Sequence, residues 1–61
     1  MDEELAAAVE AVERARGTFD LVDPGDDMAV DAAIYRLKAA ETELRVVLGA
    51  VRRAHGVRGA A

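Results

Sequence analysis

The sequence predicts an all-α protein, an antiparallel hairpin of two helices that dimerises into a four-helix bundle. Three observations lead to this fold class. Apolar residues recur at alternating spacings of three and four along two segments, an Asp-Pro-Gly turn separates the segments, and the two halves of the chain carry opposite charge. With 61 residues the chain has room for one domain at most.

The first helix is predicted from about residue 2 to residue 22. A strict heptad rhythm, typical of a coiled-coil seam that faces one neighbour, is formed by Leu5, Ala8, Val12, Ala15, Phe19 and Val22. Gly17 is unfavourable within a helix by about 1 kcal/mol relative to alanine. Because Phe19 and Val22 stay in register with the earlier apolar residues, we expect the helix to continue through Gly17.

Residues 23 to 27 are expected to form the turn between the helices. Pro24 presets one backbone angle, Gly25 allows the next, and Asp26 or Asp27 can cap the first free amides of the second helix. A calcium loop needs acidic ligands at alternate positions, a glycine at the sixth and a glutamate at the twelfth. That spacing is absent here, so the aspartate cluster is interpreted as structural.

The second helix is predicted over about residues 28 to 55, with Gly56 as its stop and residues 56 to 61 as a frayed tail. One apolar track holds Ala33, Leu37, Ala40, Leu44, Val47, Val51 and Ala54. A second, overlapping track holds Ile34, Leu37, Leu44, Leu48 and Val51. A stripe this wide covers more than one neighbouring helix. The second track is therefore the predicted dimer or partner interface, and Tyr35 beside it is expected to pack at the edge of the core.

Charge is divided unevenly along the chain. Residues 1 to 31 hold ten acids and two bases, a formal −8, whereas residues 32 to 61 hold two acids and six bases, a formal +4, and the sum is −4. A hairpin lays the acidic half beside the basic half. We therefore predict that the acidic residues 2 to 4 come near Arg52 or Arg53.

The inventory of side chains argues against catalysis. The chain has no Ser, no Cys and a single histidine, so a Ser-His-Asp or Cys-His nucleophilic site cannot be assembled within it. His55 has no second ligand at the helical spacing that a zinc pair needs. Glu41 lies in the middle of the stripe and is predicted to pair with Lys38 or Arg45. We predict no enzyme, no cofactor and no metal.

The predicted function is a non-enzymatic interaction module that forms a homodimer and docks a protein partner. The alternative is a small regulatory nucleic-acid-binding protein that uses the arginines of the second helix. The pI near 4.7 makes nucleic acid the weaker prediction. No apolar stretch approaches the ~20 residues of a membrane span. The acidic start is unlike a signal peptide, which favours a cytoplasmic protein.

Three sequence elements resemble a known family. They are "FDLVDP" at residues 19 to 24, "AIYRLKAAE" at residues 33 to 41 and "ELRVVLGAVRRA" at residues 43 to 54. Together they resemble the YaaL family of small proteins from Gram-positive bacteria. The Asp-Pro corner is longer here, and aliphatic residues replace aromatic ones in the last element. The resemblance implies a bacterial lineage and a cytoplasmic setting, and it implies no activity because the family has none assigned.

Overall fold

The computed structural model describes the backbone of residues 3 to 59 and the side chains of residues 3 to 56. It contains two α-helices, α1 at Glu3–Leu21 and α2 at Asp27–Gly59. The helices pack on each other along a rod with extents of 54, 17 and 11 Å. The predicted all-α hairpin is therefore confirmed.

Helix α1 runs without a break through Gly17, as predicted. Gly17 does not take a positive φ, and a Cβ added to it would meet nothing within 4 Å. Glu3 and Glu4 lie in the first turn, where their charge favours the positive end of the helix dipole. Past the last residue of α1, the amide of Val22 donates to the carbonyl of Phe19 at 3.2 Å, which closes a tight final turn.

The corner is built by two aspartates with different tasks. The amide of Asp26 donates to the carbonyl of Asp23 at 2.9 Å, and this bond closes a β-turn with Pro24 in its second position. The Asp23 carboxylate accepts the amide of Gly25 at 2.9 Å. Gly25 does not adopt a positive φ. The turn therefore does not require the backbone freedom that was expected of Gly25.

Asp26 is the N-cap of α2. Its Oδ1 accepts the amide of Ala29 at 3.1 Å, and its carbonyl accepts the amide of Val30 at 2.9 Å as the first helical bond. Of the two aspartates considered as caps, Asp26 therefore has this role, and Asp27 is the first residue of the helix. The structural interpretation of the aspartate cluster is confirmed for Asp23 and Asp26.

The predicted end of the second helix is wrong. Helix α2 continues past His55 to Gly59, and Gly56 lies inside it. A glycine ends a helix when it takes a left-handed conformation, and Gly56 does not have a positive φ. The backbone of residues 56 to 59 is thus helical rather than a separate tail, and residues 60 and 61 lie outside the described part.

The core between the helices is small. Among the described side chains, the buried apolar residues are Ala8, Val12, Ala33 and Val47, with exposures of 4 to 8%. The remaining seam residues of α1 are half-buried, apart from Phe19 at the margin with 36%. The heptad seam of α1 and the first track of α2 thus face each other, as their spacing predicts.

Two pairs of residues give the direction of packing. Ala8 and Val47 line the same groove, and Arg16 lies beside Glu41. Because residue numbers rise along α1 as they fall along α2, the helices are antiparallel. At 1.5 Å per residue, the 19 residues of α1 span about 28 Å and the 33 residues of α2 about 50 Å. Helix α2 therefore extends beyond α1.

We predict that Gly17→Ala stabilises the hairpin by about 1 kcal/mol, because alanine is favoured over glycine in a helix by that amount and the new methyl group meets open space. Urea denaturation followed by circular dichroism measures the change. Ala7→Gly, at another exposed position of α1, is the matched control and should cost about as much. Loss of stability in Gly17→Ala would mean that α1 is interrupted at this residue.

Candidate interaction site

An ion pair joins the middles of the two helices. Arg16 Nη2 lies 3.6 Å from Glu41 Oε2, with the side chains 66% and 41% exposed. The prediction that Glu41 pairs at the boundary of the apolar stripe is confirmed, but the predicted partners Lys38 and Arg45 are wrong. The reason is the antiparallel packing, which brings a base of the acidic half opposite Glu41.

The ion pair locates the residues that share its side of the hairpin. Residues seven apart lie on one face of a helix. Val9 is therefore aligned with Arg16 on α1, and Ile34 and Leu48 are aligned with Glu41 on α2. Since Arg16 and Glu41 are in contact, both rows lie on the same flank. Phe19, at the margin of the seam, lies three residues after Arg16 and adjoins its row. We call this flank the broad face, and it consists of Val9, Arg16, Phe19, Ile34, Glu41 and Leu48.

The broad face exposes large apolar side chains around one ion pair. Val9, Phe19 and Ile34 are 39%, 36% and 37% exposed, and Leu48 is half-buried. Each side chain is thus partly covered and partly open to water. In this respect the broad face is similar to the apolar interfaces of stable oligomers.

The predicted interface residues occupy or adjoin this face. Ile34 and Leu48 belong to it, while Leu37, Leu44 and Val51 lie between it and the seam and are half-buried. The hairpin thus uses part of each of these three side chains internally. The dimer interface stays a prediction.

The opposite flank is lined by small residues. Ala7 and Ala11 lie two residues on either side of Val9, which turns them about 200° away from it around α1. With Ala8, Val47, Glu4 and Glu43 they line an open groove of about 350 Å³. Methyl groups and two carboxylates offer few anchors for a ligand, so this groove is a weaker candidate than the broad face.

The titratable side chains do not form a chemical centre in the described part of the chain. No three His, Asp or Glu side chains among these residues are placed to hold a metal ion together. At the corner, the carboxylates of Asp23 and Asp26 already accept backbone amides. His55 is exposed on α2.

The outward side of α2 carries apolar residues that the sequence reading missed. Met28 is 84% exposed, Tyr35 77% and Val46 59%. The expectation that Tyr35 packs at the edge of the core is wrong, because most of this residue is exposed to water. The missed signal was available, since a heptad row of uncharged residues also starts at Met28.

The predicted contact between the acidic start and the basic end falls only partly on described residues. Asp2 lies outside the described residues. Glu3 and Glu4 begin α1, and the antiparallel packing directs this end of α1 towards the part of α2 that holds Arg52 and Arg53. The pairing itself stays a prediction.

Comparison with known proteins gives no relative. No protein-family model matches the chain, and no curated protein and no solved structure matches it. The resemblance to the YaaL family therefore stays a prediction. Within the described residues, neither helix combines the length and the apolar character that crossing a membrane requires.

We predict that Asp26→Ala destabilises the hairpin by about 1 kcal/mol, because the variant loses the side-chain acceptor for the first turn of α2. Thermal and urea denaturation measure the loss. Asp26→Asn is the matched control, since asparagine caps a helix as well as aspartate does. Equal losses in the two variants would show that the charge of Asp26, and not its capping bond, matters.

Proposed function

We propose that this chain is a non-enzymatic interaction module, a helical hairpin that self-associates through the broad face into a four-helix bundle and docks a protein partner. The observation that carries the proposal is the cluster of half-covered large apolar side chains around the Arg16–Glu41 pair. Burial of one such side chain is worth roughly 1.5–3 kcal/mol. A second copy contributes the same set across a two-fold axis.

The small core supports self-association. No described side chain is fully buried, and two of the four core residues are alanines. A single core in a chain of this size seldom supplies more than about 3–5 kcal/mol. The chain has no cysteine for a disulfide or a thiolate metal site. A second copy of the chain is the remaining source of buried apolar area.

Symmetry also favours a dimer. Identical chains most often associate about a two-fold axis, where one patch meets its own copy. The broad face suits such a contact because its apolar residues flank an internally neutralised ion pair. Two copies can therefore meet there without bringing uncompensated charges together.

One observation supports the nucleic-acid alternative. Lys38, Arg45 and Arg52 are spaced by seven and are exposed, so they form a row of positive charge along α2. The row begins next to Asp31, and the net charge of the chain is −4. These negative charges oppose phosphate binding, and the interaction module remains the preferred function.

We predict that Leu48→Glu removes association through the broad face and lowers the mass of the native assembly while the hairpin stays folded, because a charge within the broad face would be buried there without a partner. Sedimentation across a hundredfold range of concentration measures the mass, and circular dichroism measures the fold. Leu21→Glu is the matched control, since Leu21 is 88% exposed and lies outside the broad face. A native chain that stays monomeric throughout would contradict self-association.

For the nucleic-acid alternative, we expect no retention of the chain on double-stranded DNA or on single-stranded RNA at about 0.15 M salt. Phosphate contacts weaken steeply as salt rises. Retention at low salt that is lost with salt, and that is abolished by Arg45→Glu, would instead support the alternative. Arg14→Glu, which makes the same change of charge at an exposed residue of α1, is the control for a general effect of charge.

A further inference from the structure

We propose that the outward side of α2 is a second helix-pairing surface, which binds α2 of another copy of the chain in parallel orientation. This surface goes beyond the broad face, from which it is separate. We call it the outer seam, and it consists of Met28, Ala32, Tyr35, Ala39, Thr42 and Val46. Its steps of four, three, four, three and four are those of a coiled-coil seam.

The outer seam is the most open apolar surface of α2. Its three large side chains, Met28, Tyr35 and Val46, are 59 to 84% exposed, whereas the apolar residues of the broad face that remain in water are 36 to 39% exposed. All six residues are uncharged. Ala32 and Ala39 are small, which allows another helix to approach closely. The α1–α2 packing leaves this side of α2 without a covering element.

The surface also has the relief that helix pairing requires. In a coiled coil, a side chain inserts into a hole formed by four residues of the facing helix. Tyr35, Lys38, Ala39 and Thr42 stand at positions i, i+3, i+4 and i+7 and line one depression of about 350 Å³, together with Glu43. This depression is the hole that a seam residue of the facing helix would enter.

The flanking charges select the occupant and its direction. Ala32 and Ala39 take the a positions of this seam. In a parallel coiled coil, the residue directly before an a position faces the residue of the other helix whose number is higher by five. That rule sets Asp31 opposite Arg36 of the second copy and Lys38 opposite Glu43 of the second copy. All four side chains are exposed, and each pair joins a negative and a positive charge. The two-fold axis repeats both pairs, so four attractions form.

An antiparallel arrangement lacks this match. When the full seam is aligned in antiparallel orientation, Lys38 and Arg36 each face their own copy, and these repulsions offset the attraction of Asp31 for Arg45. The parallel register has attractive pairs only. Charge complementarity therefore assigns the outer seam to a second copy in parallel register.

If both contacts form, the assembly is larger than a dimer. The broad face and the outer seam lie on different sides of the hairpin, and each relates two copies by a two-fold axis. One copy can then use both surfaces at once. The pairing of outer seams does not rest on the broad-face dimer and can be tested in its absence.

Single cysteines test the pairing directly, because the native chain has none. In a parallel pair each seam residue meets its own copy, so Ala32→Cys and Val46→Cys should both form intermolecular disulfides in a glutathione buffer, in which only paired cysteines within about 7 Å of each other are held oxidised. Glu10→Cys on α1 gives the background. Cross-linking at one seam position only, or at neither, overturns the proposal.

Two additional changes separate this surface from the broad face. Leu48→Glu in the Val46→Cys chain should leave cross-linking intact, whereas Glu43→Lys should weaken it by about tenfold through two repulsive pairs. Adding Lys38→Glu to the latter variant exchanges the charges and should restore cross-linking. Loss of cross-linking with Leu48→Glu, or no response to Glu43→Lys, would contradict a distinct surface with this register.

Discussion

The close contact of α1 and α2 depends on small side chains in the middle of their seam. Ala8, Val12, Ala33 and Val47 are the described residues that are buried from water, and none of them is larger than valine. Such residues let two helices approach closely, since the distance between helix axes follows the side chains at the contact. The larger side chains of Leu37, Leu44 and Leu48 are only half-buried beside these residues. Part of their apolar surface therefore remains on or next to the broad face.

The corner decides which side of α2 meets α1. Each residue turns a helix by about 100°, so a start of α2 shifted by one residue would direct a different row inward. The start is fixed by the turn bond between Asp23 and Asp26 and by the cap that Asp26 provides to Ala29. With that start, Ala33 and Val47 face α1, and the row from Met28 to Val46 faces water. Two hydrogen-bonded aspartates thereby determine both the core and the outer seam.

The sequence predicted the parts of the fold that depend on periodicity and turn chemistry. The heptad rows, the continuity of α1 at Gly17 and the Asp-Pro corner follow from local preferences, which the tertiary contacts reinforce. Two kinds of feature were not accessible in the same way. The end of α2 depends on the backbone angle at Gly56, which the residue type does not determine. The partner of Glu41 depends on the register between helices, and a local reading favours neighbours three or four residues away. The outer seam is also a pattern in the sequence. The apolar residues of α2 were assigned to two other tracks, which start at Ala33 and Ile34, and a third was not considered.

The Arg16–Glu41 pair has a different meaning in the hairpin and in the proposed bundle. At exposures of 66% and 41% the pair is well solvated, and pairs of this kind contribute about 0–1 kcal/mol. Covering the broad face with a second copy removes that water, and the cost of desolvating both charges then offsets much of their attraction. Apolar residues at both positions would pack as well in many orientations of the second copy. A charged pair tolerates only arrangements that keep its partners together or supply new hydrogen bonds. In the proposed bundle, the pair therefore favours one orientation of the second hairpin, while the surrounding leucine, isoleucine, valine and phenylalanine side chains supply the affinity.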